Sequence, residues 1–250
     1  MRMLLLTLVL SWNPWAAHAA EPGNLSSATY GVNSDYAMPL VDIKRIQNTQ
    51  TLDAGILKDL GEALFKEMHL VPTITLLPKK RVAPSLLSGS ANVICHLNEI
   101  WQTKIAKDVY WSRDVYESSN VIVYIGNKPL HQIKDLYGLR VGTVLNFVYR
   151  DLEPHFISKR ILREDGPNNE SNLQKLLNGR ISAIIMSNLE YNYYKKIYSN
   201  LDSAAIEMDT IMTKCALSKK SKKITLEKLN KAIDAIQKNG TLDKILKTYQ

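Results

Sequence analysis

Three short stretches hold the side chains best suited to chemistry. Asp35 and Tyr36 lie in Asn33-Ser-Asp-Tyr-Ala-Met-Pro39, directly after the apolar run Ala28–Val32. His96, Glu99 and Trp101 lie in His96-Leu-Asn-Glu-Ile-Trp101, directly after Ala91–Cys95. Asn146 and Phe147 lie in the aromatic exit Leu145-Asn-Phe-Val-Tyr149, after Leu139–Val144. Each stretch follows a strand-like run, and ligand contacts in open α/β sheets gather at strand exits. The carboxylates of Asp35 and Glu99 can accept hydrogen bonds from a cationic or hydroxylated molecule. Trp101 and Phe147 offer ring faces for stacking. No catalytic constellation is legible, and no CxxC or His-Cys spacing points to a metal.

The elements that must position these residues follow from periodicity. Leu57, Leu60, Leu64 and Met68 form one helical stripe within Gly55–Met68. Val71–Leu77 reads as a strand, with Pro72 marking its start or an edge. Pro78–Leu87 reads as a helix ending at Gly89, and Ala91–Cys95 as the next strand. This β-α-β-α-β order predicts a largely parallel sheet covered by helices. The stretch from His96 to Ser119 is the least regular and also holds Trp111, Arg113 and Tyr116. Val121–Ile125 reads as a strand. Asp135–Val144 then opens a second β-α-β set, with Gly138 in a turn and Gly142 leaving room for close approach by backbone or ligand. Helices are expected over Pro154–Leu162, Asn172–Asn178 and Leu189–Tyr198, with a buried strand at Ile181–Met186. The tyrosines of the last of these helices, Tyr191, Tyr193, Tyr194 and Tyr198, read as packing rather than recognition. Cys215–Leu217 reads as a short strand. Thr225 caps a helix with Leu226, Leu229, Ile233 and Ile236 on one face, and Thr241 starts a final turn or two.

Composition bounds the class. The chain has 250 residues and a formal net charge of +8. Met1-Arg-Met followed by the apolar run Leu4–Leu10 and by Ala17-His-Ala19 reads as a signal peptide cleaved after Ala19. No later run approaches the length of a membrane span, and no cysteine near the cleavage point offers a lipid anchor. The expected product is a soluble, exported chain. The basic residues are dispersed except for Lys214, Lys219, Lys220, Lys222 and Lys223, which read as a solvated loop. Without a basic stripe interleaved with aromatics, nucleic-acid binding is not expected. Two cysteines, Cys95 and Cys215, in an oxidising compartment suggest a bridge, with two buried thiols as the alternative.

The order of motifs resembles the family 3 periplasmic solute-binding proteins. The carrying residues are Gly55-Ile-x-x-Asp-Leu60, Arg81 with Leu86-Leu-Ser-Gly89, Trp111-Ser112, Asp135-Leu-x-Gly-x-Arg-Val-Gly142, Leu176-Leu-Asn-Gly-Arg-Ile-Ser-Ala183, and Leu229-Asn-Lys-Ala-Ile233 with Asn239-Gly-Thr241. The resemblance implies two α/β lobes, each a mostly parallel sheet flanked by helices, joined by two crossing strands and hinged about a ligand cleft. Residues 20–120 with 208–250 would form lobe one, and 121–207 lobe two. That placement puts Cys95 and Cys215 in one lobe and favours their bridge.

The family's amino-acid binders carry an Arg after the third strand and an Asp after the penultimate strand of lobe two. Those positions fall here near Lys104 and at Ser187, and Asn146-Phe147 replaces a small Gly-Ser/Thr exit. A lone Lys cannot reproduce bidentate carboxylate recognition, so a solute other than an ordinary amino acid is expected, one carrying a ring. The candidate wall comprises Asp35, Tyr36, Glu99, Trp101, Trp111, Thr143, Asn146, Phe147 and Ser187. The expected role is non-enzymatic capture of a small solute by a monomer, without cofactor, for delivery to a membrane permease. Two alternatives stay open. One is a dehydratase-like enzyme with Glu99 as general acid, assisted by His96 or by His131 and His155. The other is a sensory protein acting in trans on a membrane receptor.

Overall fold

The computed structural model describes residues 26–126, 129–206, 208 and 210–249. The expected signal peptide, residues 1–19, lies outside them. The first half runs β1 (Ser27–Asn33), β2 (Asp42–Ile46), β3 (Thr49–Ala54), α1 (Ile56–Glu67), β4 (Val71–Leu77), α2 (Lys79–Ser88), β5 (Val93–Leu97), β6 (Val109–Trp111) and β7 (Glu117–Tyr124). The second half runs β8 (Arg140–Val144), α3 (Glu153–Ile157), β9 (Leu162–Gly166), α4 (Asn169–Leu177), β10 (Ala183–Ser187) and α5 (Asn188–Ile197). Then come β11 (Asp202–Ser203), β12 (Thr210–Met212), β13 (Lys214–Ser218), α6 (Leu226–Lys238) and α7 (Thr241–Tyr249).

Two sheets result. The first has the order β4-β1-β5-β13-β6, with β1 parallel to β4 and β5, and β13 antiparallel to β5 and β6. The second has the order β11-β7-β10-β8-β9, with β8 parallel to both neighbours. Both sheets are covered on two faces. In the first lobe Leu57, Leu60 and Leu64 of α1 pack with Leu229, Ile233 and Ile236 of α6 on one face. Val82 and Leu86 of α2 cover the other. In the second, Leu173 and Leu176 of α4 and Tyr194 of α5 cover one face, and Leu136, Tyr149 and Leu152 the other. Burial on both faces is why the central strands read as unbroken apolar runs.

The chain passes between the sheets through residues 112–117 and 212–214, and these two segments hold each other. Val115 donates its N–H to the Thr213 carbonyl at 2.8 Å, and both the N–H and the hydroxyl of Thr213 donate to the Tyr116 carbonyl at 2.7 Å. Beside them, Cys95 on β5 is joined to Cys215 on β13 by a disulfide.

Several expectations are corrected. Lys214 does not lie in a solvated loop: it is part of β13, and its ammonium meets Glu99 at 2.7 Å. The helix expected over Pro154–Leu162 ends at Ile157, and Leu162–Gly166 is an edge strand. That strand has almost no apolar alternation because its charges are paired along the edge, Arg163 with Asp165 at 3.0 Å and Lys175 with Glu164 at 3.3 Å. The β2–β3 hairpin had no apolar signal either, since most of its side chains face solvent. Gly142 leaves no room for a ligand. A Cβ there would stand 2.6 Å from Ile181 and 2.9 Å from Ile184, so the space is filled by core side chains. Gly142→Ala is expected to cost about 1–3 kcal/mol by overpacking, measurable as a lower urea midpoint.

Candidate functional site

The exits of β1, β5 and β8 converge where the lobes meet, as strand ends of neighbouring parallel sheets must. From lobe one, Tyr36 is buried and donates its hydroxyl to the His96 carbonyl at 3.3 Å. Its ring stands edge-on to His96 at 5.0 Å and to Phe147 of the other lobe at 5.7 Å. His96 stacks on Tyr116, with Nδ1 2.8 Å from the Tyr116 hydroxyl, and lies 5.9 Å from Trp101. Phe147 packs against the cores of both lobes, and the Lys79 ammonium lies 5.0 Å from its ring centre. Asp35 accepts the Lys79 backbone N–H at 3.0 Å, which fixes the start of α2 beneath the ring.

His96 is the most constrained member. It takes a left-handed backbone, φ 56°, inside a strand, where a non-glycine residue is strained. Burial, with the Lys79 charge adding to it, pushes its imidazole down to about 3. The ring is therefore neutral at ordinary pH. Burial also lowers the Lys79 ammonium, against the pull of Asp35.

A second contact between the lobes comes from the start of α5. Leu189 is buried in the core of lobe one. The buried Glu190 carboxylate accepts from Ser187 N–H at 2.8 Å, Ser187 Oγ at 2.9 Å and Asn169 Nδ2 at 2.9 Å. It also accepts from the Ala37 backbone N–H of lobe one. Burial raises its carboxyl above the usual range, and these hydrogen bonds only partly offset that.

The architecture around this cluster is one that known proteins share. The sequence model for bacterial extracellular solute-binding proteins, family 3, matches residues 45–250. The chain belongs to that family. Solved structures agree on the fold. An ancestral arginine-binding protein bound to arginine is 22% identical, with a TM-score of 0.73, over 90% of this chain and 98% of its own. A Salmonella typhimurium periplasmic binding protein with high arginine specificity is 17% identical, with a TM-score of 0.72, over 90% and 99%. The substrate-binding protein of an amino acid ABC transporter is 18% identical, with a TM-score of 0.73, over 90% and 99%. No curated protein matches.

In this family 3 solute-binding protein the structure brings together Asp35, Tyr36, Trp101 and Phe147, and separates the other candidates from them. Trp111 donates its indole N–H to the Ala106 carbonyl at 2.9 Å and packs on the α2 side of lobe one. Thr143 is buried, with its hydroxyl donating to Asp165 at 2.8 Å. Asn146 is exposed with φ 67°. Ser187 caps α5. Lys104 is exposed on a short 3₁₀ turn, Thr103–Ile105. Glu99 turns to Lys214. Burial opposes its ionisation, but the hydrogen bond and charge of Lys214 outweigh it and hold the carboxyl below the usual range. A general acid needs the opposite shift. His131 gives a backbone N–H to Asp135, and the His155 ring lies 3.2 Å from the Tyr137 hydroxyl, so both stand apart from Glu99.

Lys79 and Leu189 escaped the sequence reading because each looks like an ordinary helix residue. Glu190 had a legible signal. Ser187-x-x-Glu190 is a capping box, and both of its reciprocal hydrogen bonds are present.

Proposed function

We propose that this chain is exported to the periplasm, captures a small ring-bearing solute between its lobes, and delivers it to an ABC-type permease. In this reading residues 1–19 direct export and are removed. Lobe one is residues 20–120 with 208–250, lobe two is 121–207, and the paired segments 112–117 and 212–214 are the hinge. The observation that carries the proposal is the meeting of Tyr36 and Phe147, one from each lobe, 5.7 Å apart beside Lys79. Rings contributed by both lobes make their full contact with a flat solute only when the lobes are together. Such a ligand binds the closed state better than the open one, which is the condition for driving closure.

Tyr36, Trp101 and Phe147 form the proposed apolar wall, with Asp35, Glu99 and Asn146 at its polar edge. Trp111, Thr143 and Ser187 lie outside that wall, held in packing, in a bond to Asp165 and in a helix cap respectively. Two of the three similar structures are arginine-binding proteins. Here Lys104 is exposed and Ser187 is committed to Glu190, so an amino-acid clamp of the Arg and Asp type has no counterpart at those positions.

A thermal-shift screen of the mature protein against aromatic acids, amines, sugars and amino acids tests the reading. A ring-bearing ligand at 100 times its Kd is expected to stabilise by about 2.7 kcal/mol. Phe147→Ala is expected to weaken it by about tenfold or more, since a stacked ring contributes both buried area and specific contact. Strongest shifts from aliphatic amino acids, or a ligand indifferent to Phe147→Ala, would refute it.

A further inference from the structure

The end of lobe one away from the cleft carries a cluster of lysines. β1 and β5 are parallel and end at the cleft, and β13 runs against β5, with Lys214 opposite Leu97 and Leu217 opposite Val93. The turn that follows β13 therefore stands at the other end of the sheet. It reads Ser218-Lys-Lys-Ser-Lys-Lys-Ile224. Beside it Lys107 leads into β6, where Val109 pairs with Ser218. Lys107, Lys219, Lys220, Lys222 and Lys223 are all exposed.

The turn has a fixed shape. Ser218 Oγ accepts the Lys220 N–H at 3.2 Å, the Ser221 N–H donates to the Ser218 carbonyl at 3.0 Å, and Ser221 Oγ accepts the Ile224 N–H at 3.2 Å. Lys220 lies over Gly89, where an added Cβ would stand 2.9 Å from the Lys220 Cβ. The Lys219 ammonium donates to the Lys107 carbonyl at 2.6 Å and lies 5.5 Å from the Tyr110 ring centre. The Lys223 ammonium donates to the Ser27 carbonyl at 2.7 Å. Backbone carbonyls hold these two charges in place without cancelling them. Among the described residues no carboxylate pairs with any of these lysines, whereas Lys214 at the cleft end of β13 is paired with Glu99. Asp108 is the one acid within segments 107–110 and 218–224. At the same end of the sheet α1 closes on Lys66 and Glu67, whose charges offset each other.

Two features indicate the partner. Exposed apolar side chains border the lysines: Tyr110 on β6, and Leu87 in the last turn of α2, next to Gly89. A basic surface with an aromatic ring at its edge suits the headgroup region of a bilayer, where the ring enters the interface and the ammoniums meet phosphates. The charge is also carried by lysine alone. Lysine is a point charge on a flexible stem and follows a field of mobile phosphates, whereas a single fixed carboxylate or phosphate selects the planar fork of arginine.

We infer that this end of lobe one is a docking surface for an anionic lipid bilayer. Its lysines meet headgroup phosphates and Tyr110 enters the interface. The surface lies away from the cleft, so contact with the bilayer leaves the cleft open to solute.

Cosedimentation of the mature protein with phosphatidylcholine vesicles, with and without phosphatidylglycerol, tests the inference. Binding is expected to the anionic vesicles alone, weakening as added salt shortens the screening length. Each lysine near the surface is worth about fivefold in partitioning, so Lys222→Gln with Lys223→Gln is expected to lower binding about twentyfold. Lys238→Gln with Lys244→Gln removes the same charge from the hinge side, where the neighbouring Gln237 donates to the Asp114 and Val115 carbonyls. That pair is expected to change binding by less than about threefold, being screened from the bilayer. No binding to anionic vesicles would overturn the inference, as would equal binding to neutral ones. Equal losses from the two lysine pairs would reduce the effect to net charge and overturn it too. A protein that ignores the vesicles but binds polyglutamate would assign the surface to an acidic protein instead. Phe147→Ala is expected to leave vesicle binding intact, and the Lys222, Lys223 variant to leave the ligand-induced thermal shift intact, so this surface and the cleft stand or fail independently.

Discussion

Removing the Cys95–Cys215 bridge, by the double substitution to alanine, is expected to cost about 4–5 kcal/mol of stability in the chain-entropy model. The two cysteines are 120 residues apart in sequence, and the closed loop contains all of the second sheet. Both sit in the lobe-one core, nearly inaccessible to solvent. The bridge lies where the ladder between β5 and β13 is irregular, between Lys214 and Ala216. There the Ser112 hydroxyl accepts the Cys215 N–H at 2.8 Å, and the Cys215 carbonyl accepts from Ser112 N–H at 2.9 Å. The cross-link therefore pins β13, on which the chain returns from lobe two, to β5 in the middle of the first sheet. Urea unfolding of the oxidised protein and of the double variant measures the difference. A loss under about 1 kcal/mol would mean that the unfolded chain is already constrained there by other means.

The second large effect is acid destabilisation through His96. Its imidazole falls from an ordinary value near 6.5 to about 3 in the folded protein. Between these values the unfolded chain binds a proton that the folded chain excludes. Stability is thus fully present above pH 6.5 and declines as pH falls towards 3. A difference of this size corresponds to about 4–5 kcal/mol. The cause is burial first, then the Lys79 charge. His96→Asn is the informative variant, because asparagine tolerates a left-handed backbone better than most residues and does not titrate. It is expected to flatten the stability–pH curve between pH 6.5 and 3. An unchanged slope would place the acid sensitivity elsewhere. Glu190 acts with the opposite sign. Its carboxyl is raised, so the folded chain holds a proton that the unfolded chain has released, and stability from this group falls as pH rises through the carboxylate range. His96→Asn leaves Glu190 in place, so the change in slope it produces belongs to His96 alone.

Much of the fold was legible before any coordinates. The stripe Leu57, Leu60, Leu64 and Met68 is a buried helix face, and β4 runs over Val71–Leu77 as expected. Gly89 ends α2 in the left-handed conformation, and Thr225 caps α6 through the Lys228 N–H. These are local decisions: periodicity, caps and turn residues act within a few residues of themselves. What went unread was β9, an edge strand held by its ladder to β8 and carrying paired charges, and the β2–β3 hairpin, most of whose side chains face water. Neither carries the apolar alternation from which strands are read.

The candidate site divides along the same line. By itself the sequence determined which residue types stand at the strand exits: Asp35 and Tyr36, Glu99 and Trp101, Asn146 and Phe147. It also placed the two cysteines. Only the tertiary structure decided which of these meet. It set Phe147 against Tyr36 across the lobe boundary, gave Glu99 to Lys214 from a strand more than a hundred residues away, and turned Trp111 and Thr143 into packing. The reason is physical. Side-chain type and local periodicity are properties of neighbours in the chain, whereas the partner of a charge or a ring at a strand exit is set by how separate elements pack.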